Sequence, residues 1–181
     1  MIPGSFDYHS PASLDEAIQL LGELGEDAKI LAGGHSLIPL LKLRLATPPA
    51  LIDIGRIDEL KGISVADGRV RIGALTTHAE LAASAELAAR APALAEAAGL
   101  IGDPAVRNRG TIGGNIAHAD PASDLPTVLC ALDATIVVTT AGGERSIAAD
   151  DFFEGMMETA LGDHDIIAAI EVPAAAAGQG Q

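Results

Sequence analysis

The stretch ILAGGHSLIPLLKL, residues 30–43, decides how the rest of this chain is read. An apolar run, Ile30-Leu31-Ala32, enters two glycines, Gly33 and Gly34. His35 and Ser36 follow, and then a leucine-rich segment begins. The apolar run suits a short strand. Leu37, Leu40, Leu41 and Leu45 recur at helical spacing, with Pro39 tolerable in a first turn. Glycine permits positive φ and close approach of backbone to a ligand. A strand, a glycine pair and a helix start leave unpaired N–H groups aimed at one place, which suits an anion. There is no Gly-Lys-Ser/Thr and no G-x-G-x-x-G here, so the loop is neither a Walker loop nor a Rossmann fingerprint. Taken alone, it fits a tight strand-to-helix turn as well as an anion cradle.

The surroundings extend the pattern. Ser13 and Glu16 form a capping box for a helix in which Leu14, Ala17, Ile18 and Leu21 share a face, and Gly25 is its stop. ALIDI, residues 50–54, reads as a buried strand. Residues 1–55 therefore read β-α-β-α-β, a small, mainly parallel unit. Beyond residue 55 the pattern changes. GISV and RVRIGAL flank Asp67-Gly68, a hairpin signal. Thr77 and Glu80 form a second capping box, and an alanine-rich helical stretch follows. ATIVVTT, AGGE and RSIAA predict another hairpin, DDFFEGM one helical turn, and DIIAAIEVP a closing strand. Residues 56–173 form a second, α+β unit with an antiparallel sheet. The tail, 174–181, has little to bury and is expected to be disordered.

A second glycine pair stands in RGTIGGNIAHADPASDLP, residues 109–126. Thr111 offers a hydroxyl, Gly113-Gly114 reads as exposed backbone, and Ser123 and Asp124 stand in a Pro-broken loop. Two backbone cradles in separate units could share one long ligand with a diphosphate at its centre. His118-Ala119-Asp120 lacks a second histidine at helical spacing, so a loop histidine touching a ligand is expected rather than a metal site. His35 lies in the first cradle, where backbone contact is its expected role. His78, at a helix start, reads as a surface residue. No Ser-His-Asp or Cys-His constellation stands out.

Composition narrows the function. With 25 acidic and 11 basic residues and a formal charge of −14, the chain lacks the basic footprint of a nucleic-acid binder. No apolar stretch is long enough for a membrane span, which points to a cytoplasmic protein. The single cysteine, Cys130, excludes an intrachain disulfide and is expected to be a buried, inert thiol. Aromatic residues make up only 2% of the chain, so aliphatic side chains or a partner must cover any flat ligand.

Taken together, LAGGHSLIPLLKLRLATP and RNRGTIGGNIAHADPASDLP closely resemble the FAD-binding medium subunit of molybdenum hydroxylases. The resemblance is to the carbon monoxide dehydrogenase type, with the FAD domain of xanthine dehydrogenase more distant. FFEGMMETAL and DIIAAIEVP match the family's next block, and the likeness runs from FDYHSPASLDEAI to Pro173. It implies the two-subdomain FAD-binding fold of vanillyl-alcohol-oxidase (PCMH) type, an α+β fold with FAD between the subdomains. Ala32, Gly33, Gly34, His35 and Ser36 would bind the FAD diphosphate through backbone N–H groups, flanked by Leu31. Gly110, Thr111, Gly114 and Asn115 would form the second cradle, continued by Ala117 and His118. Ser123 and Asp124 would hold the adenosine end, and Ile101 and Leu161 would pack near the flavin ring. The FAD would be non-covalent, because no histidine or cysteine stands in a recognised attachment motif.

The resemblance also implies partners: a small subunit with two [2Fe–2S] clusters and a large subunit with the molybdopterin cofactor, as a dimer of heterotrimers. This chain would then pass electrons from the clusters through FAD to an external acceptor. The family continues past its last strand into a C-terminal domain that helps cover the flavin, and this sequence stops at Gln181, short of it. A rival expectation is a non-redox nucleotide-binding or assembly subunit.

Overall fold

Two sheets, drawn from separate segments, position everything else. The computed structural model describes residues 2–175. The first segment runs β1 (Asp7–His9), α1 (Leu14–Leu24), β2 (Lys29–Leu31), α2 (Leu37–Leu43) and β3 (Ala50–Asp53). Its strands form a parallel sheet of order β1-β3-β2. The helix α1 buries Ala17, Ile18 and Leu21, the stripe predicted by spacing. Ser13 Oγ accepts from the Glu16 N–H at 3.3 Å, but the Glu16 carboxylate accepts from Ala12 N–H rather than from Ser13. Gly25 ends the helix at φ +77°, in the left-handed region that glycine tolerates.

A 3₁₀ turn, Asp58–Leu60, leads into β4 (Ile63–Ala66) and β5 (Arg69–Gly73). Asp67 and Gly68 join them with φ of 51° and 74°, the pair of positive values that matches strand twist. Three helices follow, α3 (His78–Ala83), α4 (Ala85–Arg90) and α5 (Pro92–Leu100). Thr77 and Glu80 make the full reciprocal box, and Ser84 caps α4. Next come α6 (Pro104–Arg107), α7 (Ile112–His118) and α8 (Asp124–Ala131). The chain continues through β6 (Thr135–Thr140), β7 (Gly143–Ala148), α9 (Ala149–Phe152), β8 (Phe153–Gly155), β9 (Glu158–Thr159) and β10 (Ile166–Pro173). The main sheet is antiparallel, in the order β4-β5-β10-β6-β7.

β10 explains why Ile166–Val172 is so apolar. Ile167, Ile170 and Val172 face the helical side, in a core with Leu94, Ile112, Ile116 and Phe152. Ile166, Ala168 and Ala169 face the first segment, in a core with Ala17, Ile18, Leu21, Ile52 and Ile54. A central strand covered on both faces carries no polar alternation. A register shift between Ile167 and Ala169 accommodates the double duty.

Several expectations change. Asp124 is the first residue of α8 and so lies in a helix rather than a loop, while Ser123, at the N-cap position, keeps the extended backbone that ends the loop. His118 closes α7 rather than standing in a loop. Cys130 is only partly buried, and its burial together with the Asp150 carboxyl raises the thiol pKa. The tail is ordered at its start: the N–H groups of Ala174 and Ala175 donate to the carbonyls of Gly68 and Arg90 at 2.8 and 2.7 Å. The remainder, 176–181, lies outside the described residues.

Candidate FAD site

The two glycine loops meet. A Cβ on Gly33 would collide with the Arg109 carbonyl oxygen, so the first loop is glycine there because the second passes directly against it. Gly34 takes φ +78°, and a Cβ there would stand 2.6 Å from Ile38 Cδ1. A Cβ on Gly114 would stand 2.9 Å from Thr111 Oγ1, the hydroxyl that caps its helix, and in ordinary contact, 3.7 Å, with the Ala32 Cβ of the first loop. The His35 ring reaches across as well, its Nε2–H donating to the Ala105 carbonyl at 3.1 Å.

The loops differ in what they offer. Among the described residues, none of the N–H groups of Gly33, Gly34, His35 and Ser36 donates to a protein acceptor. In the second loop most are used. Gly110 N–H donates to Val106, Ile112 to Thr76, Gly113 to Ala74, Gly114 to Thr111 Oγ1 and Asn115 to the Thr111 carbonyl. Gly113 is therefore not exposed backbone. It is buried, and a Cβ would stand 2.6 Å from the Ala74 Cβ, so it is glycine to let α7 pack on the end of β5. The first loop is a cradle of free donors. The second presents the Thr111 N–H and the Asn115 amide beside it.

Between the loops lies a cavity of about 530 Å³, within the range of small-molecule sites. Ala32, Gly33, Gly34, His35, Ser36, Ile101, Gly110, Thr111, Gly114, Asn115, Ala117, His118 and Leu161 all border it. Leu31 lies behind them, its Cδ1 3.3 Å from where a Gly34 Cβ would be. Ser123 acts through Asn115, its Oγ–H donating to Asn115 Oδ1 at 2.8 Å. Asp124 is exposed and does not border the cavity. Among the described residues no Phe, Tyr or Trp lines it; Ile30, Leu40, Ile54, Val106, Ile166 and Ile167 add to the aliphatic wall.

Two arginines hold that wall in place. Arg107 Nη1 donates to the carbonyls of Ile101 and Gly102 at 2.9 and 3.1 Å, fixing the turn that carries Ile101. Arg145 Nη2 donates to Asp165 Oδ2 at 2.6 Å and to the Ala160 carbonyl at 2.8 Å, while Gly162 N–H donates to the same carboxylate oxygen at 2.7 Å. That clamp closes the loop bearing Leu161.

His78 is the residue that sequence reasoning misplaced. It is 3% exposed and borders the cavity. Thr77 caps its helix a short turn, residues 74–76, after β5, so the ring is set at the sheet end near the second glycine loop. Burial first, and then the nearby His35, lowers its pKa to about 4. The available signal was IGALTTHAEL itself: a histidine between an apolar strand end and a capped, apolar helix start has protein on both sides.

The free N–H groups suit a diphosphate and the aliphatic walls suit a flat ring system, while Gly33, Gly110 and Gly113 let the segments around the cavity close on one another. This chain belongs to the family of FAD-binding domains of molybdopterin dehydrogenases, which it matches over residues 4–175. Its fold is the two-subdomain, PCMH-type FAD-binding fold of that family. More particularly, it is 52% identical over 180 residues to the carbon monoxide dehydrogenase medium chain of Hydrogenophaga pseudoflava, covering 99% of this chain and 63% of that one. To the corresponding chain of Afipia carboxidovorans it is 47% identical over 180 residues, covering 99% and 62%. It superimposes on the solved carbon monoxide dehydrogenase from Hydrogenophaga pseudoflava with a TM-score of 0.96 at 53% identity, covering 98% of this chain and 62% of that chain. The chain thus spans a little over three-fifths of the length of these relatives.

Proposed function

We propose that this chain binds FAD non-covalently and relays electrons, within a molybdenum hydroxylase, from a partner's [2Fe–2S] clusters to an external acceptor. The observation that carries the reading is the convergence of both glycine loops on one cavity, with the Gly33–Ser36 N–H groups free. When bound, FAD supplies the exchange of one and two electrons; the chain binds, orients and shields it. The N–H groups of the first loop bind the diphosphate. Thr111 and Asn115 approach from the facing loop, and Ser123 orients the Asn115 amide. Ile101 and Leu161, pinned by Arg107 and Arg145, flank the ring and exclude water from it. Asp124, whose exposed carboxylate stands outside the cavity border next to Ser123, holds the ribose at the adenosine end, where the ligand extends past the cavity.

Substrate oxidation belongs to a molybdopterin-containing large subunit, and no acid or base of this chain takes part in it. The partners are that subunit and an iron–sulfur small subunit, in a cytoplasmic dimer of heterotrimers. Apoprotein mixed with FAD and desalted should retain the flavin spectrum and release all of it on acid precipitation. Flavin that passes entirely into the desalting fraction rejects FAD binding by this chain, and flavin left in the washed precipitate rejects the non-covalent assignment.

A further inference from the structure

His78 is a buried polar ring on the border of the cavity, and two features of its setting define what it can do. Its ring fixes the identity of a neighbour: a Cβ on Gly110 would stand 2.8 Å from His78 Cδ2 and 2.9 Å from Nε2. The His78 N–H also donates to the Gly110 carbonyl at 3.0 Å, so backbone and ring both bear on that loop. Of the two ring nitrogens, Nδ1 is enclosed with no hydrogen-bond partner among the described residues, and Nε2 is not enclosed in this way. An orphaned buried N–H is rarer in proteins than an under-satisfied acceptor. Leaving the enclosed Nδ1 as the bare lone pair avoids an orphaned ring N–H, which assigns the ring proton to Nε2. Burial of the ring keeps it neutral. The residue thus has one donor to give, beside the second glycine loop and on the border of the cavity.

We propose that His78 is a positioning residue, a neutral imidazole that donates its Nε2 proton to an oxygen of the bound dinucleotide, and that Gly110 is glycine to leave the ring its place. This rests on the FAD reading above. A neutral donor orients an oxygen without adding charge to the site. It complements the first loop, whose donors are all backbone.

The test is a two-bond ¹H–¹⁵N correlation spectrum of the full chain labelled at histidine, before and after FAD is added. The His78 signal is the one missing from H78Q. The expected spectrum shows the neutral tautomer with the proton on Nε2 at pH 7, and an Nε2 resonance that moves when FAD binds. ADP and riboflavin, added separately, assign the acceptor oxygen to the nucleotide or to the flavin side. In FAD titrations H78F should bind about 2- to 12-fold more weakly, the loss of one neutral hydrogen bond. H78Q, which keeps an N–H at the Nε2 position, should stay within about 2-fold. A proton on Nδ1, or an Nε2 signal unmoved while absorbance shows FAD bound, overturns the proposal and leaves the FAD reading standing. Absence of FAD binding by the wild-type chain overturns both. The wild-type spectrum decides even where H78F does not fold.

Discussion

Glycine is often explained by a turn, but here neighbouring positions are glycine for different reasons. Gly33 gives way to the Arg109 backbone, whereas Gly34 takes a positive φ and faces only side-chain atoms, of Ile38 and Leu31. The two should therefore fail differently. Gly33→Ala forces the loops apart, costs about 1–3 kcal/mol of stability and weakens FAD binding severely. Gly34→Ala costs about 1–2 kcal/mol, mostly backbone strain, because Ile38 can rotate away. Urea denaturation beside FAD titration checks this; equal losses of affinity would show that the loop contact is unimportant. His78 makes a second residue-scale prediction. Its ordinary pKa of 6.5 falls to about 4 on folding, so between these values the unfolded chain binds more protons. Its contribution to stability is complete above pH 6.5 and falls as the pH drops toward 4, by up to about 3 kcal/mol. The difference in unfolding free energy between wild type and H78Q, followed from pH 7.5 to 4.5, should shrink accordingly. A flat difference rejects the low pKa.

At the scale of elements, β10 joins the two halves. It pairs with β5 and β6 along most of its length, and its small residues Ala168 and Ala169 face the first segment. Ala169 lies opposite both Gly73 and Val137 in register. Gly73 is itself crowded, since a Cβ there would stand 2.5 Å from the Leu60 carbonyl oxygen. A larger residue at 169 would push the first sheet away from the second. Ala169→Leu is expected to cost about 1–3 kcal/mol, read as a lower urea midpoint. An unchanged midpoint would mean the seam is loosely packed. The elements themselves were legible where their signals are local: the stripe of α1, the Thr77–Glu80 box and the Asp67-Gly68 turn needed only neighbours in sequence. The start of α7 was not. Its glycine pair reads as a loop until Ala74 is seen packed against it and Thr111 is seen capping it.

For the molecule as a whole, the shared core between the sheets decides how it unfolds. Ile54, Ile57 and Leu75 pack in one cluster with Val137, Ile166 and Ala168, so the first segment's core has no separate boundary. Far-UV circular dichroism and hydrogen exchange in both sheets should then report a single urea transition. FAD at about 100 times its dissociation constant should raise the unfolding free energy by about 2.7 kcal/mol throughout. Two separated transitions would show that the segments fold independently.

What the sequence determined by itself was what short separations govern: the parallel unit, read over residues 1–55 and found over 7–53, the two hairpins, the Thr77–Glu80 box and the paired glycine motifs that mark the family. Hydrophobic period, capping chemistry and backbone freedom are properties of a few adjacent residues. Tertiary structure alone decided which glycines border the cavity and which give way to a neighbouring backbone, and it turned His78 from a surface residue into a buried one. Those outcomes depend on contacts such as Gly33 with Arg109, His35 with Ala105 and His78 with Gly110. The partners in each lie tens of residues apart. No local pattern encodes such a meeting, because the free energy that enforces it comes from closing the two halves around a common core.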